Sequence, residues 1–331
     1  MSSELVRQVA KRVAQLLLVL VIVSFFTFLL IRLLPGDPTN VIIPFGTDAQ
    51  RAALRSDLGL DKGFWGQYWS YVTGLIQGDL GTQYSSGRPV SELVNQSLPV
   101  SLQLMIYAQL LALFFAIPLG IFTAYRNGTR SDNALNTSAF ALLALPNFVL
   151  ALVLSFFIGA QLKWLPTGGY APGWMDPFFD SSRSLDLVEH IRFMVLPSIT
   201  LAVGQIAIYM RLLRSDMIAT LQENFITMAK AKGISNQRIL WRHALRPSSL
   251  TLLTVAGLNV GTLIGGAVVV EVIYQIPGMG LKIFQAINSR EYVELQSYIV
   301  VIAVLFVLIN FFVDFLYSVL DPRIRRARAS V

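Results

Sequence analysis

Long apolar blocks alternate with polar stretches along nearly the whole chain. Six blocks, at approximately 13–31, 100–124, 135–159, 194–213, 250–270 and 297–319, pass the length of roughly 18 apolar residues that marks a bilayer span. Lipid offers backbone groups no hydrogen-bond partner, so spans are helices or closed barrels, and these blocks are too long for barrel strands. The pattern therefore predicts an all-α polytopic membrane protein with six transmembrane helices. Arg7, Lys11 and Arg12 precede the first block as in a signal peptide. The apolar run continues from Val13 to Ile31 with no small-x-small cleavage site after it, so it is read as a retained span. Pro118 and Pro146 fall inside spans two and three, where they are expected to kink the helices at modest cost.

Composition agrees with a lipid solvent: of 331 residues 54% are hydrophobic and 14% charged, against about 25% charged in an ordinary soluble domain. The chain has no cysteine and two histidines, His190 and His243, both in polar stretches and far apart in sequence. Disulfides and thiolate metal sites are excluded, and no spacing supports zinc. The net charge of +7 lies mostly at the edges of the apolar blocks, which fits membrane orientation and not a nucleic-acid face. With both termini in the cytoplasm, sixteen of the 26 Lys and Arg residues fall on cytoplasmic segments, so this topology is expected.

The long segment 32–99 carries Pro35, Pro38 and the cluster Trp65, Tyr68, Trp69 and Tyr71, read as an outer cap anchored by interfacial aromatics. Two units follow: 1–99, the first span with its extracytoplasmic loop, and 100–331, a core of five spans. Within the core the stretch from about Arg211 to Ser249 is long, polar and helix-patterned. Ile218, Leu221, Phe225 and Met228 recur at helical spacing, Gly233 stands where a C-cap glycine would, and Ser235 can cap a second helix with Ile239, Leu240, Trp241 and Ala244 before Pro247 stops it. Such a pair is either a docking surface for another protein or a pair of helices resting on headgroups.

The chain has no G-x-x-x-x-G-K-[ST] phosphate loop, no G-x-S-x-G elbow and no H-E-x-x-H helix, so enzymatic function is disfavoured. One acidic residue, Asp314, is a clear candidate inside a span, about five residues from the cytoplasmic end of span six; it is expected to snorkel to the interface or pair with a basic group such as Arg211 or Arg214. Span five contains Gly257, Gly261 and Gly265 at intervals of four, a face that admits close approach of another helix. Asn259 and Thr262 give the same helix a polar side suited to an aqueous path.

Ordered fragments along the chain carry a resemblance. They include Leu34-Pro35-Gly36-Asp37-Pro38, Leu58-Gly59-Leu60-Asp61, Gly78-Asp79-Leu80-Gly81, Gly87-Arg88-Pro89-Val90, Trp164-Leu165-Pro166 and Leu196-Pro197-Ser198. Further along stand Glu271-Val272-Ile273-Tyr274, Pro277-Gly278-Met279-Gly280 and Leu320-Asp321-Pro322-Arg323. Together these resemble the permeases of bacterial ABC importers for dipeptides and oligopeptides, specifically the B-type membrane subunit. Ala229-Lys230-Ala231-Lys232-Gly233 is similar to that family's ATPase-coupling sequence, with Thr227-Met228 where the general form has Glu-Ala. The resemblance implies a type I importer permease architecture, a coupling loop at about 214–247, and coupling contacts at Phe225, Met228, Ala229, Lys230, Ala231, Lys232, Gly233 and His243. It also implies a second homologous permease, two cytosolic ATPase subunits that use ATP and magnesium, and an extracytoplasmic substrate-binding protein. No cofactor is expected on this chain, whose home would be the bacterial inner membrane. Relatives carry nickel chelates, glutathione or oligosaccharides, so these stand beside peptides; an ion-coupled carrier or channel is the competing class.

Overall fold

The computed structural model describes residues 3–33, 39, 43, 45–57, 61–179 and 185–320, with side chains at 3–13, 15–16, 31, 33 and 314–320 left out. Leu34–Pro38, Leu58–Leu60, residues 321–331 and the Asp314 side chain therefore lie outside the description. The described residues are overwhelmingly helical: α1 (Ser3–Leu33), α2 (Asp48–Asp57), α3 (Phe64–Ile76), α4 (Val90–Tyr125), α5 (Arg130–Ala144), α6 (Asn147–Gln161), α7 (Asp176–Phe179) and α8 (Leu187–Leu221). There follow α9 (Asn224–Ala231), α10 (Asn236–Ile273), α11 (Met279–Ser289) and α12 (Tyr292–Leu320). The second half of α6, Ser155–Gln161, and the Ile239–Ala244 turn of α10 are π-helical.

Five of the six predicted apolar blocks are helical throughout, and the third is helical on either side of a break at Leu145–Pro146. Four helices, α4, α8, α10 and α12, are long and apolar enough to cross a bilayer, and α5 with α6 makes a fifth if the bent pair is one span. The first block lies within α1, whose apolar stretch is Leu17–Leu30. The third block differs from the expected gentle kink: α5 ends at Ala144 and α6 starts at Asn147 at an angle of 100°. Pro146 accounts for the break. It pushes Leu145 into an extended conformation (φ −80°, ψ 120°) and itself precedes the first residue of α6, where its missing N–H is not needed. Helix α4 begins at Val90, runs across position 99/100 and holds both Pro99 and Pro118 in its interior.

Helix α8 packs along α4 and against α10, and α12 lies between α10 and α1. Three apolar clusters fill this bundle from end to end. At the α9 end Met217, Ile226, Ala229, Ile239 and Leu252 join Tyr209 and Leu213; in the middle are Leu104, Met194, Leu263 and Tyr274; at the α11 end are Val90, Met279 and Tyr298. The aromatics of α3 divide. Tyr68 and Tyr71 pack on Phe28 of α1, and Tyr68 shares a 3.2 Å hydrogen bond with Ser24, whereas Trp65 and Trp69 are mostly exposed. Trp65 nevertheless stacks on Phe25, so the cap is fixed to α1 by Trp65, Tyr68 and Tyr71, and Trp69 is left outside these contacts with α1.

Candidate functional site

The segment between α8 and α10 starts from a break that periodicity did not show. Helix α8 ends at Leu221 and α9 restarts at Asn224, so Ile218 and Leu221 belong to one helix, half-buried, and Phe225 and Met228 to another, exposed at 47% and 61%. Helix α9 is attached through Ile226 and Ala229, both buried in the core beneath. A helix of eight residues has little stability of its own, so this burial and its terminus must hold it. The terminus is a Schellman turn: the Gly233 N–H donates to the Lys230 carbonyl (2.9 Å) and the Ile234 N–H to the Ala229 carbonyl (3.2 Å). Gly233 supplies the required left-handed backbone, φ +73°, and Ile234 packs back on the core. Ala231, Lys230 and Lys232 are exposed beside it and His243 is half-buried in the π turn. The outer face is thus apolar at Phe225 and Met228, basic around them, and without a carboxylate from Asn224 to Ser249.

Ser235 does precede the next helix, but its side chain makes no capping bond, and Pro247 does not end that helix. The π turn at Ile239–Ala244 has already shifted the hydrogen-bond register just ahead of the proline, and the chain runs on as α10 to Ile273. The Ser248 hydroxyl donates to Thr220 Oγ1 (2.8 Å), tying α10 to the end of α8 across the base of α9. Arg214 pairs with Asp132: its Nε and Nη2 donate to the two carboxylate oxygens, each at 2.7 Å, while Arg211 lies 3.9 Å over the Phe140 ring.

The glycine face of α10 meets α12 of the same chain at two of its three positions. A side chain at Gly257 would overlap Val313, and one at Gly261 would overlap Phe306; at Gly265 a Cβ would meet nothing within 4 Å. Gly265 therefore opens onto uncovered space, on the side where Thr262 is exposed. Asn259 is half-buried, and its Nδ2 donates to Gln205 Oε1 of α8 (3.1 Å).

Several buried polar residues escaped sequence reasoning. Glu271, at the end of α10, is fully buried and accepts from Gly280 N–H (2.7 Å), Leu281 N–H (3.2 Å) and Ser101 Oγ (2.6 Å), while Ser101 accepts from Met279 N–H (2.8 Å). The first three donors of α11, which no intrahelical carbonyl can reach, are all satisfied this way. Gly278 and Gly280 are small because the Glu271 carboxylate and the Val268 backbone sit against them. Tyr274 reaches Ala151 of α6 and Thr200 of α8, and its carbonyl accepts from Gly169 N–H (2.9 Å), which docks the Trp164–Gly169 turn. Glu291, also buried, accepts from the N–H groups of Tyr84 and Ser85 (2.7 and 2.8 Å), fixing the 82–89 hairpin to the corner between α11 and α12. Burial, with the Glu291 carboxylate nearby, pushes the Tyr84 hydroxyl up to about 12. His190 is not in a polar loop but fully buried in the first turn of α8, bonded through Nδ1 to the Ala171 carbonyl (2.7 Å). The available signal for Glu271 and Tyr274 was their place in the fragment Glu271-Val272-Ile273-Tyr274, which opens six residues ahead of Pro277-Gly278 and marked a resemblance and no role.

Comparison with known proteins gives the arrangement a family. Residues 116–326 match the family described as binding-protein-dependent transport system inner membrane component, and residues 5–105 match its N-terminal counterpart. The dipeptide transport system permease protein DppB of Alkalihalophilus pseudofirmus is 36% identical over 95% of this chain and 98% of its own. A probable peptide ABC transporter permease of Sinorhizobium fredii is 33% identical over 96% and 98%. The glutathione transport system permease protein GsiC of Salmonella typhi is 35% identical over the same shares. Among solved structures, an inward-facing MetNI methionine ABC transporter matches with a TM-score of 0.55 at 14% identity, over 69% of this chain and 96% of that one, which speaks for the fold alone. The chain belongs to the binding-protein-dependent transport system inner membrane components, the multi-pass permease subunits of ABC importers.

Proposed function

We propose that this permease forms half of a path for dipeptides or oligopeptides, together with a second homologous permease. Relatives named for peptide and dipeptide transport support this substrate class, and the relative named for glutathione supports that solute as the minor alternative. Helix α9 is the docking element for one of two cytosolic ATPase subunits, which bind ATP and magnesium while this chain binds neither. An extracytoplasmic binding protein delivers substrate to the opposite end. The termini and α9 face the cytoplasm, and the α11 end faces outward. The observation that carries this reading is the exposure of Phe225 and Met228 on a helix held by its buried face and its C-terminal turn; an inert connection between α8 and α10 would have no need to hold apolar side chains outward. Resting on headgroups would also use that face, but not the braced base.

The test is reconstitution of the complex with its binding protein in liposomes. Substrate-dependent ATP hydrolysis and uptake of tritiated di- and tripeptides are expected, and the purified chain alone is expected to do neither. Uptake by this chain alone, driven by a proton or sodium gradient, would instead point to an ion-coupled carrier.

A further inference from the structure

The Asp132–Arg214 pair is built unlike the other ion pairs among the described residues. Asp48–Arg51, Arg88–Glu92 and Glu189–Arg192 are exposed pairs within a turn of one another, at 3.3–3.9 Å. Asp132 and Arg214 lie on different helices, with side chains 1% and 24% exposed. The carboxylate accepts two parallel bonds from the guanidinium, one from Gly128 N–H (2.9 Å) and one from Asn136 Nδ2 (2.7 Å), and Arg214 Nη2 also donates to Asn127 Oδ1 (2.9 Å). A fork of this kind sets angle as well as distance, and burial limits screening by salt. One turn back along α8, Arg211 over Phe140 makes a second attachment to α5, so rotation of one helix on the other is resisted at two points.

The position of this clamp matters more than its strength. Arg214 lies in the last turns of α8, which lead directly into α9. On the far side of α9, Asn236 reaches the Tyr125 hydroxyl of the same α4–α5 turn (3.4 Å). Beyond the clamp, α5 turns through 100° into α6, whose Ala151 carbonyl is held by Tyr274. We propose that Asp132 and Arg214 are positioning residues that pass displacement of α9 to the broken helix α5–α6 and so to the path. The inference rests on the reading of α9 as the coupling element. If α5 moved independently of α8, ATPase motion delivered at α9 would reach α8 and α10 only.

The test uses the complete complex in liposomes, reading ATP hydrolysed per tritiated di- or tripeptide taken up. Removing Arg214 alone strands the buried Asp132 charge, so the informative variant removes both: Asp132→Asn with Arg214→Leu. It is expected to assemble with the ATPases at wild-type yield yet to consume at least about tenfold more ATP per peptide, because the neutral pair no longer sets the angle. Arg214→Lys, which keeps the charge but loses the fork, should fall between. A wild-type ratio in the assembled double variant would overturn the inference, as would failure of both variants to assemble, which would make the pair a folding element. Phe225→Ser with Met228→Ser separates the two readings. If it releases the ATPases while the neutral pair stays coupled, only the role of the ion pair falls; if the ATPases remain bound, the coupling role of α9 falls and this inference with it.

Discussion

Gly233 holds a φ of +73° with no neighbour within 4 Å of where a Cβ would lie, so the demand on this residue is conformational and not one of space. A β-branched residue there costs roughly 1–2 kcal/mol in backbone strain, whereas asparagine tolerates the left-handed region. Gly233→Val is therefore expected to leave assembly of the spans intact and to uncouple hydrolysis from uptake or release the ATPases, while Gly233→Asn stays near wild type. Co-purification of the ATPases and substrate-stimulated hydrolysis check both, and wild-type behaviour of the valine variant would remove the lever role. Glu271 presents the opposite demand, that of a side chain which several donors need. Glu271→Ala orphans Gly280 N–H and Leu281 N–H in a buried site, at about 1–3 kcal/mol for each unsatisfied group. Thermal unfolding of the purified complex should show a clear loss of stability, whereas an unchanged midpoint would mean that water reaches the start of α11.

Among elements, α10 and α12 approach through Gly257 and Gly261, and the third glycine of that series does something else. Leucine at Gly261 would overlap the Phe306 ring, and such overpacking typically costs about 1–3 kcal/mol. Gly261→Leu is expected to lower the yield of complex, measured by size-exclusion in detergent. Gly265→Leu meets nothing in this chain and should assemble normally. If it also blocks uptake, the open side of α10 at Gly265 and Thr262 lies on the path; if Gly261→Leu assembles and transports as wild type, the α10–α12 contact is dispensable.

For the whole molecule, the cysteine-free chain lends itself to single-cysteine labelling. Ser86 and Ser235 are both exposed and lie at opposite ends of the bundle, in the 82–89 hairpin and beside α9. With the α9 end inside, an impermeant thiol reagent applied to intact cells should label Ser86→Cys and spare Ser235→Cys. The reverse pattern would invert the topology and with it the side on which ATPases could dock. The two ends are also held differently. The α11 end carries the buried carboxylates Glu271 and Glu291, and the α9 end carries the Asp132–Arg214 pair, the Ser248–Thr220 hydroxyl contact and the Asn236–Tyr125 bond over the apolar core beneath α9.

Sequence by itself determined the solvent, the number of apolar blocks, the all-α class and the exceptional segment around Gly233, because these follow from local periodicity, from composition and from a glycine whose conformation is set by its own neighbours. The series Gly257, Gly261 and Gly265 was legible as a close-approach surface, yet which helix filled it, and at which two positions, depended on where α12 came to lie. The break at Pro146 was legible as a proline; its 100° depended on packing α6 against α8 and α10. Only the tertiary structure decided the roles of Asp132, Glu271 and Glu291. Each has a deciding partner far along the chain, 82 residues away for Asp132 and Arg214, 170 for Glu271 and Ser101, and 207 and 206 for Glu291 with Tyr84 and Ser85, and no local pattern records a partner at that distance. The same reason applies to Arg214: charge alone allows several acidic partners, and the fold brought it to Asp132.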